Sequence, residues 1–428
     1  MSMIYNGVSG LTAASTALKT TSSNIANAGV AGYSRQVANF TSAETGGVYI
    51  SQIERISESY AVQELWSSAT VLGYNTTDAS HAKRLETTIA GNSTGLSPVI
   101  NEFFGNLNKA SADPMDNAFR QEVLASANNM ASRFNSLSNS LDTQKNDIQH
   151  QMGSLVGEAN SLIEDVASIN KAIAEADTAG EVPGHLLDQR DKAIQQLSEH
   201  LNVSVLIEDD KTATITMPSG EPLVTRVETS EVVIQGGFVA IDTGVATKKI
   251  DEPGGAIGGL VDFRDGTLAD AQKELDDLAQ KLVTSLNTQH KNGFDAKGNA
   301  GKDLLKYENG KMTVEITAPE ELAFSDKADE HGSNANLLKM IDVQNDQSIN
   351  KDWNSIVSKV ASKSASAQNS HKASETVFKE ATNKVMSKSG VNLDEEAANM
   401  LVFQQLYSAN AKVISSANEM FKTVLSMV

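Results

Sequence analysis

The C-terminal segment, residues 393–428, carries an apolar pattern with helical spacing that continues to Val428. Its apolar side chains recur at i, i+3, i+4 and i+7, which places them on one side of a single helix. They are Phe403, Leu406, Tyr407, Val413, Ile414, Ala417, Met420, Phe421, Val424, Met427 and Val428. Asn410 stands in line with Phe403 and Ala417, and an asparagine within an apolar seam can fix the register of packed helices. The pattern therefore predicts a long helix that needs partner helices on this side.

The N-terminal segment carries a matching pattern. Its seam consists of Ile4, Leu11, Leu18 and Ile25 at seven-residue intervals, with Val8, Ser15 and Ser22 completing a 4-3 alternation. Such alternation is typical of helices that pack as coiled coils. We therefore expect the two terminal helices to pair with each other, and the pair to pack against further copies of the chain. The alternative is that each terminal helix simply folds back on its own domain.

Between the terminal segments the pattern is mostly helical. Helices are expected at about 57–88, from Ser97-Pro98, from Asp113-Pro114 to about Ala176, and at about 186–201, 268–286, 333–340 and 350–388. In both pairs, Ser97-Pro98 and Asp113-Pro114, the polar side chain is expected to cap a helix that has proline in its first turn. A helix of roughly sixty residues spans ~90 Å, so the third segment predicts a helical rod.

Residues 203–252 change to a period of two, which predicts short strands joined by turns such as Pro218-Ser219-Gly220. The predicted fold class is therefore mainly α with a small all-β insert. Three domains are expected. Residues 1–35 with 390–428 form a terminal coiled-coil assembly domain, residues 36–202 with 253–389 form a helical rod domain, and residues 203–252 form a small β domain.

Composition narrows the function classes. A net charge of −19 argues against a nucleic-acid partner, because phosphate binding needs a basic patch. Cysteine is absent, which removes disulfides and thiolate sites. The N-terminus lacks an ordinary secretory signal, and no stretch is apolar enough to span a membrane. These features alone favour a cytosolic protein without membrane contacts.

Two motifs superficially resemble chemical sites. Ser93 lies in a G-x-S-x-G pattern, but residues 84–89 before it read as the end of a helix, whereas a nucleophile elbow needs a buried strand there. The glycine run 254–259 has no phosphate-loop lysine and is expected to be a flexible junction. A plain loop or junction is the simpler interpretation of both.

Metal sites are not predicted either. The segment after Asp295 is faintly similar to a calcium loop, but Lys297 occupies a ligand position and Ala300 replaces the required glycine. The seven histidines are scattered without an H-x-x-x-H pair, and surface positions are expected for them. We expect no catalytic residue, no cofactor and no metal.

Two signatures at the ends of the chain resemble those of bacterial flagellar axial proteins. The N-terminal one is Asn24-Ile25-Ala26-Asn27 followed by Gly32-Tyr33-Ser34-Arg35-Gln36; the C-terminal one comprises residues 389–396 and the block from Phe403-Gln404-Gln405 to Phe421. Three internal stretches, 186–191, 262–265 and 287–295, are similar to hook-associated members rather than rod or hook subunits. Two departures are Gly29-Val30-Ala31, where the family usually has Asn-Thr, and the short segment between Asp303 and Ala323, where relatives often carry a large outer domain.

The resemblance implies a structural component of the flagellum at the hook–filament junction that polymerises through both terminal helices. It also implies type III export without cleavage and an extracellular location, which replaces the cytosolic prediction. Implied partners are other copies, the hook protein, a neighbouring hook-associated protein on the filament side, and an export chaperone that holds the C-terminal helix. A rod or hook subunit and a cytosolic helical scaffold remain alternatives.

The predicted assembly interface consists of the seam residues of both ends. They are Ile4, Val8, Leu11, Leu18, Ile25, Phe403, Leu406, Tyr407, Val413, Ile414, Ala417, Met420, Phe421, Val424 and Val428.

Overall fold

The computed structural model describes residues 2–44, 46–91, 95–178, 180 and 182–427. The chain forms two compact units, the first comprising Met1–Tyr74, Ser154–Gly258 and Ala373–Val428, and the second Asn75–Gly153 and Gly259–Lys372. Every boundary between them falls inside a helix. The division into three domains that the sequence suggested stays a prediction.

Most of the chain is helical, and the helices follow the predicted ones closely. They are α1 (Ser2–Asn27), α2 (Ser59–Ala90), α3 (Ser97–Ala110), α4 (Asn117–Thr178), α5 (Gly184–His200), α6 (Gly255–Asp262), α7 (Ala269–Lys291), α8 (Ala335–Asp346), α9 (Ile349–Ser389) and α10 (Leu393–Ser426). A π-helical turn, Phe263–Leu268, joins α6 to α7. The long helix predicted as a rod is α4, with 62 residues. The mainly α fold class is confirmed.

Within the described ranges the strands form four small antiparallel sheets. Strands β1 (Gln36–Ser42) and β2 (Val48–Arg55) make a hairpin, as do β10 (Leu305–Glu308) and β11 (Lys311–Val314). The insert contains a four-stranded sheet, β3 (Ser204–Ile207), β4 (Ala213–Thr216), β5 (Pro222–Thr225) and β6 (Glu228–Thr229), and a three-stranded sheet, β7 (Glu231–Gln235), β8 (Phe238–Asp242) and β9 (Thr247–Lys249). The predicted β insert is confirmed.

Two asparagines of α4 hold the β insert through its backbone. The Asn160 amide donates to the Val232 carbonyl and accepts from the Val232 N–H, both at 2.8 Å. Asn170 does the same with Ala213, at 2.8 and 2.9 Å. Each side chain thus satisfies strand groups that would otherwise be left unpaired next to a helix. The insert is therefore fixed to α4 by specific hydrogen bonds.

The structure corrects two predicted helix starts. Helix α3 has Leu96 rather than Ser97 at its N-cap, with no side-chain cap, although proline does lie in its first turn. Asp113-Pro114 lies in a turn, and α4 begins only after Asp116, whose carboxylate accepts from the Ala118 N–H at 2.7 Å. In the second case the Asp113 carboxylate accepts from the Met115 N–H at 3.2 Å, an Asx turn that competes with capping of a helix. The aspartate that follows the turn therefore caps the helix instead.

The glycine run 254–259 is not a flexible junction, because a helix begins inside it. A Cβ on Gly255 would lie 2.4 Å from the carbonyl carbon of His200, and its φ of +54° is in the left-handed region. Glycine therefore allows both the turn and the close approach. The side chains of Ile257 and Leu260 are fully buried, and this burial holds α6 in place.

Two histidines contradict the prediction that all seven lie on the surface. His81 is 7% exposed and His290 is fully buried. The Nδ1 of His290 lies 2.6 Å from the Lys302 carbonyl, and its Nε2 accepts from the Ala323 N–H at 2.9 Å. Since Nε2 accepts, the ring is neutral and Nδ1 is the donor. His290 thus joins helix α7 to two segments of the loop region that follows it.

We expect His290 to make the protein less stable in acid. Burial lowers the pKa of His290; the hydrogen bond to the Lys302 carbonyl and the charge of Asp303 oppose this effect, and the charges of Lys302 and Arg120 add to it. The unfolded chain therefore binds a proton that the folded chain excludes, and stability falls by up to about 1.4 kcal/mol per pH unit below about pH 6.5. Urea unfolding at pH 7.5 and 5.5 measures this loss. His290→Gln, which can still donate and accept but does not titrate, should lose less; an equal loss would contradict the assignment.

Candidate functional site: the paired terminal helices

The terminal helices α1 and α10 pack against each other in antiparallel orientation. Gly7 faces Ile414, Gly10 faces Asn410, and Asn24 is hydrogen-bonded to Glu396, so the partner number falls as the α1 number rises. This confirms the predicted pairing of the two ends of the chain. Both helices belong to the first compact unit.

A stripe of small residues allows α1 and α10 to approach closely. The buried residues of α1 are mainly Gly7, Gly10, Ala13, Ala14, Ala17, Thr20, Thr21 and Asn24. A Cβ on Gly10 would lie 2.4 Å from the Asn410 Oδ1, and one on Gly7 would lie 2.7 Å from the Ile414 Cγ1. Asn410 donates its side-chain N–H to the Leu406 carbonyl at 2.8 Å, one turn earlier on its own helix. Its amide therefore fits into the space that glycine leaves.

A second side of α1 carries the β1–β2 hairpin. The Val48 N–H donates to the Ser9 Oγ at 3.2 Å, and a Cβ on Gly47 would lie 2.3 Å from that oxygen. The hairpin also reaches α10, because the rings of Phe40 and Phe403 stack with centroids 5.8 Å apart. The helix pair and the hairpin therefore form one packed group.

The predicted seam of α1 lies on a third side of the helix. Val8 is 48% exposed, and Ile4, Leu11, Leu18 and Ile25 are half-buried. None of these residues belongs to the small-residue stripe, which lies on a different side of the same helix. The 4-3 apolar seam is thus incompletely covered within a single chain.

Helix α10 leaves most of its predicted seam in solvent. Among the described members of that set only Ala417 is buried, and Phe403 and Ile414 are half-buried. The exposed members, each 39–61% accessible, are Leu406, Tyr407, Val413, Met420, Phe421 and Val424. Val402 and Met427 extend the exposed apolar surface. Val428 lies outside the described residues.

Helix α1 carries almost no charge, and the middle of α10 carries none. Lys19 is the one charged residue in Ser2–Asn27, and α10 has none between Glu396 and Lys412. The chain as a whole carries −19. Copies that met through α1 and the middle of α10 would therefore meet through segments with little charge.

A polar cluster joins the end of α1 to the start of α10. Asn24 donates its amide to the Gln36 carbonyl at 2.8 Å and to the Glu396 Oε2 at 2.9 Å. Its Oδ1 accepts from the Tyr33 hydroxyl at 2.9 Å and from the Gln36 N–H at 3.0 Å. Arg35 donates from Nε to the Glu396 Oε1 at 2.8 Å and pairs with Glu395 at 3.1 Å. Glu396 is 1% exposed.

The cluster continues into helix α5. Asp188 accepts from the Ser34 N–H at 3.1 Å and from the Arg55 Nε at 2.7 Å, and Arg55 also pairs with Asp191 at 2.7 Å. Burial raises the pKa of the nearby Tyr33 hydroxyl. The predicted interface omitted these residues, since it was built from apolar spacing. The signal was present in the terminal signatures, which contain Asn24, Arg35 and Glu396.

The metal and membrane candidates find no support in the part of the chain that the structure describes. Among the described residues no group of three metal-ligating side chains comes together, and no helix is both long and apolar enough to cross a membrane. Asp295 accepts from the backbone of Lys297 and from both the backbone and the side chain of Asn299, so its carboxylate organises a loop. Ser93 lies outside the described residues.

Three family models match the chain. The model described as "Flagellar hook-associated protein FlgK helical domain" matches residues 82–305, which is more than half of the 428 residues. The model "Flagella basal body rod protein" matches residues 4–33, and "Flagellar basal body rod FlgEFG protein C-terminal" matches residues 382–427. The two rod-type matches cover the terminal helices, and the hook-associated match covers the middle of the chain.

Individual relatives agree with these matches. Flagellar hook-associated protein 1 of Escherichia coli (strain K12) is 26% identical over 544 residues, covering 100% of both chains. The protein of the same name from Bacillus subtilis (strain 168) is 24% identical and covers 97% of this chain and 96% of its own. Because the first alignment is longer than this chain, that relative has segments that are absent here.

A solved structure supports the fold. The flagellar hook junction protein FlgK from Burkholderia pseudomallei has a TM-score of 0.51 at 24% identity, and the match covers 59% of this chain and 47% of that one. The match thus spans less than half of the solved chain. With more than half of its residues matched by the family model, the chain belongs to the flagellar hook-associated protein FlgK family, a family of structural proteins of the bacterial flagellum.

Proposed function

We propose that the chain is a structural subunit of the flagellum at the junction between hook and filament, and that it polymerises through α1 and α10. The observation that carries this proposal is the exposed apolar surface of the terminal pair. Leu406, Val413 and Met420 are 39–50% exposed and recur every seven residues. A regular apolar seam of this kind is stable only when another helix covers it.

The seam of α1 supplies the second half of the interface. Two surfaces with seven-residue periods, one on each terminal helix, allow each copy to contact neighbours on two sides. Contacts of this head-to-tail type generate rings or helical assemblies. Residues Ile4 to Ile25 and Phe403 to Val428, as predicted from the sequence, are the proposed interface.

The proposed partners follow from this position. They are other copies of the chain, the hook protein on one side and a second hook-associated protein on the filament side. An export chaperone that covers the exposed side of α10 before assembly is also proposed, because an uncovered apolar helix is prone to aggregate. Export places the assembled protein outside the cell. No nucleic acid, membrane, cofactor or catalytic activity forms part of the proposal.

Three alternatives make different predictions. The family match over residues 82–305 favours a hook-associated protein over a rod or hook subunit. A cytosolic scaffold would be excluded by finding the intact chain in detached flagella. An enzyme built on Ser93 would lose activity in the Ser93→Ala variant, whereas a structural subunit would support motility unchanged.

Deleting residues 4–25 or 403–428 should prevent polymerisation while the second unit stays folded. The second unit has its own buried core, including Phe103, Phe134 and Phe263, and contains neither terminal helix. Sedimentation and electron microscopy of the full-length and truncated chains measure polymer formation, and hydrogen exchange in α3 and α7 reports the fold. A truncated chain that still built junctions would refute the proposal.

A further inference from the structure

The alignment of α10 along α1 needs a cause beyond apolar packing. Both helices repeat their pattern every seven residues, and the α1 stripe consists of small side chains such as Gly10 and Ala17. A displacement by one repeat, about 10 Å at about 1.5 Å per residue, would again place small residues against the apolar side of α10. Residues of a different kind must therefore select one alignment.

Two contacts mark the alignment that is observed. Near one end of the pair, Asn24 is hydrogen-bonded to Glu396. Further along the pair, the Asn410 side chain packs against Gly10. The sequence separation from Gly10 to Asn24 equals that from Glu396 to Asn410. Both contacts therefore belong to one straight antiparallel pairing.

The contact at Asn24 discriminates between alignments much more strongly than apolar contacts do. The Asn24 amide makes four hydrogen bonds, which is its full ordinary capacity of two donors and two acceptors. Displacing α10 by one repeat would bring Phe403 opposite Asn24 in place of Glu396, or would leave Asn24 facing the segment before Leu393, where α10 begins. The Glu396 carboxylate, 1% exposed, would then leave both Asn24 and Arg35. A buried charge without partners is strongly disfavoured, so the displaced alignments are excluded.

We propose that Asn24, Arg35 and Glu396, the polar anchor, are positioning residues that set the register of α10 on α1. The anchor thereby fixes how the outer apolar seams of the two helices line up for neighbouring copies; this second step rests on the proposed function. The bonds of Ser34 and Arg55 to Asp188 tie the same anchor to helix α5. Register and docking of the terminal pair are thus set together.

Engineered disulfides in the full-length chain measure the register, because the natural sequence has no cysteine. Gly7→Cys with Ile414→Cys reports the observed alignment, since a Cβ on Gly7 lies 2.7 Å from the Ile414 Cγ1. Gly7→Cys with Tyr407→Cys or Phe421→Cys reports displacement by one repeat; these pairs also carry Ile414→Ala to make room. Each pair is oxidised in the natural background and in the Asn24→Asp and Glu396→Gln backgrounds.

Both substitutions keep the size of the side chain, but they place hydrogen-bond acceptors against acceptors or donors against donors. Asn24→Asp places an oxygen against the Glu396 carboxylate or the Gln36 carbonyl, and Glu396→Gln turns an amide N–H toward Asn24 or Arg35. We expect the yield of the 7–414 disulfide to fall at least threefold and a displaced disulfide to appear. Glu395→Ala is the matched control, because Glu395 also pairs with Arg35 but its side chain is 57% exposed; its yields should equal those of the natural background.

The possible outcomes separate the two proposals. Unchanged disulfide yields in both anchor variants would overturn the inference, even if the chain polymerises. Loss of every disulfide together with exchange protection in α1 and α10 would show that the anchor only stabilises the pair, and would also overturn it. A shifted disulfide pattern in a chain that never polymerises would support the register inference while refuting the proposed function.

Discussion

Replacing both Leu406 and Val413 with aspartate is expected to abolish polymerisation and leave the single chain folded. The two side chains are 43% and 39% exposed, so they contribute little to the fold of the isolated chain. In the assembly each would be buried against a neighbouring copy. The change removes two apolar groups, and it also places two carboxylates in an apolar interface, where an unpaired charge is much more costly than the lost contact.

The expected loss in the free energy of polymerisation is at least about 3 kcal/mol per subunit. Such a loss raises the concentration needed for polymerisation more than about 100-fold. Sedimentation over a range of concentrations measures it, and far-ultraviolet circular dichroism reports the fold. Gln404→Asp with Gln405→Asp is the control, since it adds the same charge at exposed polar positions of the same helix. Equal assembly of the two double variants would contradict the proposed interface.

Gly10→Leu should separate the terminal helices within a single chain. Even a Cβ at this position would lie 2.4 Å from the Asn410 Oδ1, so a larger side chain can fit only if α10 moves away. Overpacking usually costs about 1–3 kcal/mol. Here we expect the upper end of that range, because moving α10 also strains the bonds between Asn24 and Glu396. Hydrogen exchange in α1 and α10 should accelerate at least about tenfold, the factor that 1.4 kcal/mol gives.

Two comparisons identify the cause as steric. Gly105→Ala, in α3 with nothing within 4 Å of the new Cβ, should stabilise by up to about 1 kcal/mol because alanine favours helix. Gly10→Ala should destabilise, although the intrinsic helix preference is the same. Asn410→Ala should largely restore the Gly10→Ala variant, and a double-mutant cycle measures the coupling. Additive effects at positions 10 and 410 would contradict the close contact.

Apolar periodicity predicted most of the elements, including α4, the β insert and both terminal helices. It did not predict which side of α1 contacts α10. Ile4, Leu11 and Leu18 give a clear signal on one side of the helix, but the contact uses Gly7 and Gly10 on another. Glycine carries no hydrophobic signal, and its value for close approach becomes visible only with the partner helix present. The pairing itself was therefore predictable, and its contact surface was not.

Apolar periodicity could not predict the polar anchor either, for a different reason. Asn24 and Glu396 are 372 positions apart in the sequence. The residues that flank a buried glutamate show the same sequence pattern as those that flank an exposed one. The same holds for His290, whose burial depends on Lys302 and Ala323 in the following loop region. Hydrogen-bond partners that come from distant segments are defined only by the folded chain.

The uneven distribution of charge has a consequence for the response to ionic strength. Lys19 is the one charged residue of α1, whereas the whole chain carries −19. Because residues 397–411 of α10 are also uncharged, repulsion between copies acts mainly through the acidic groups of the other segments. Dissolved ions screen charges that are more than about 10 Å apart at 0.1 M salt. Added salt would weaken this repulsion and leave the apolar contacts intact. The assembled state should therefore be more stable in concentrated salt than in dilute buffer.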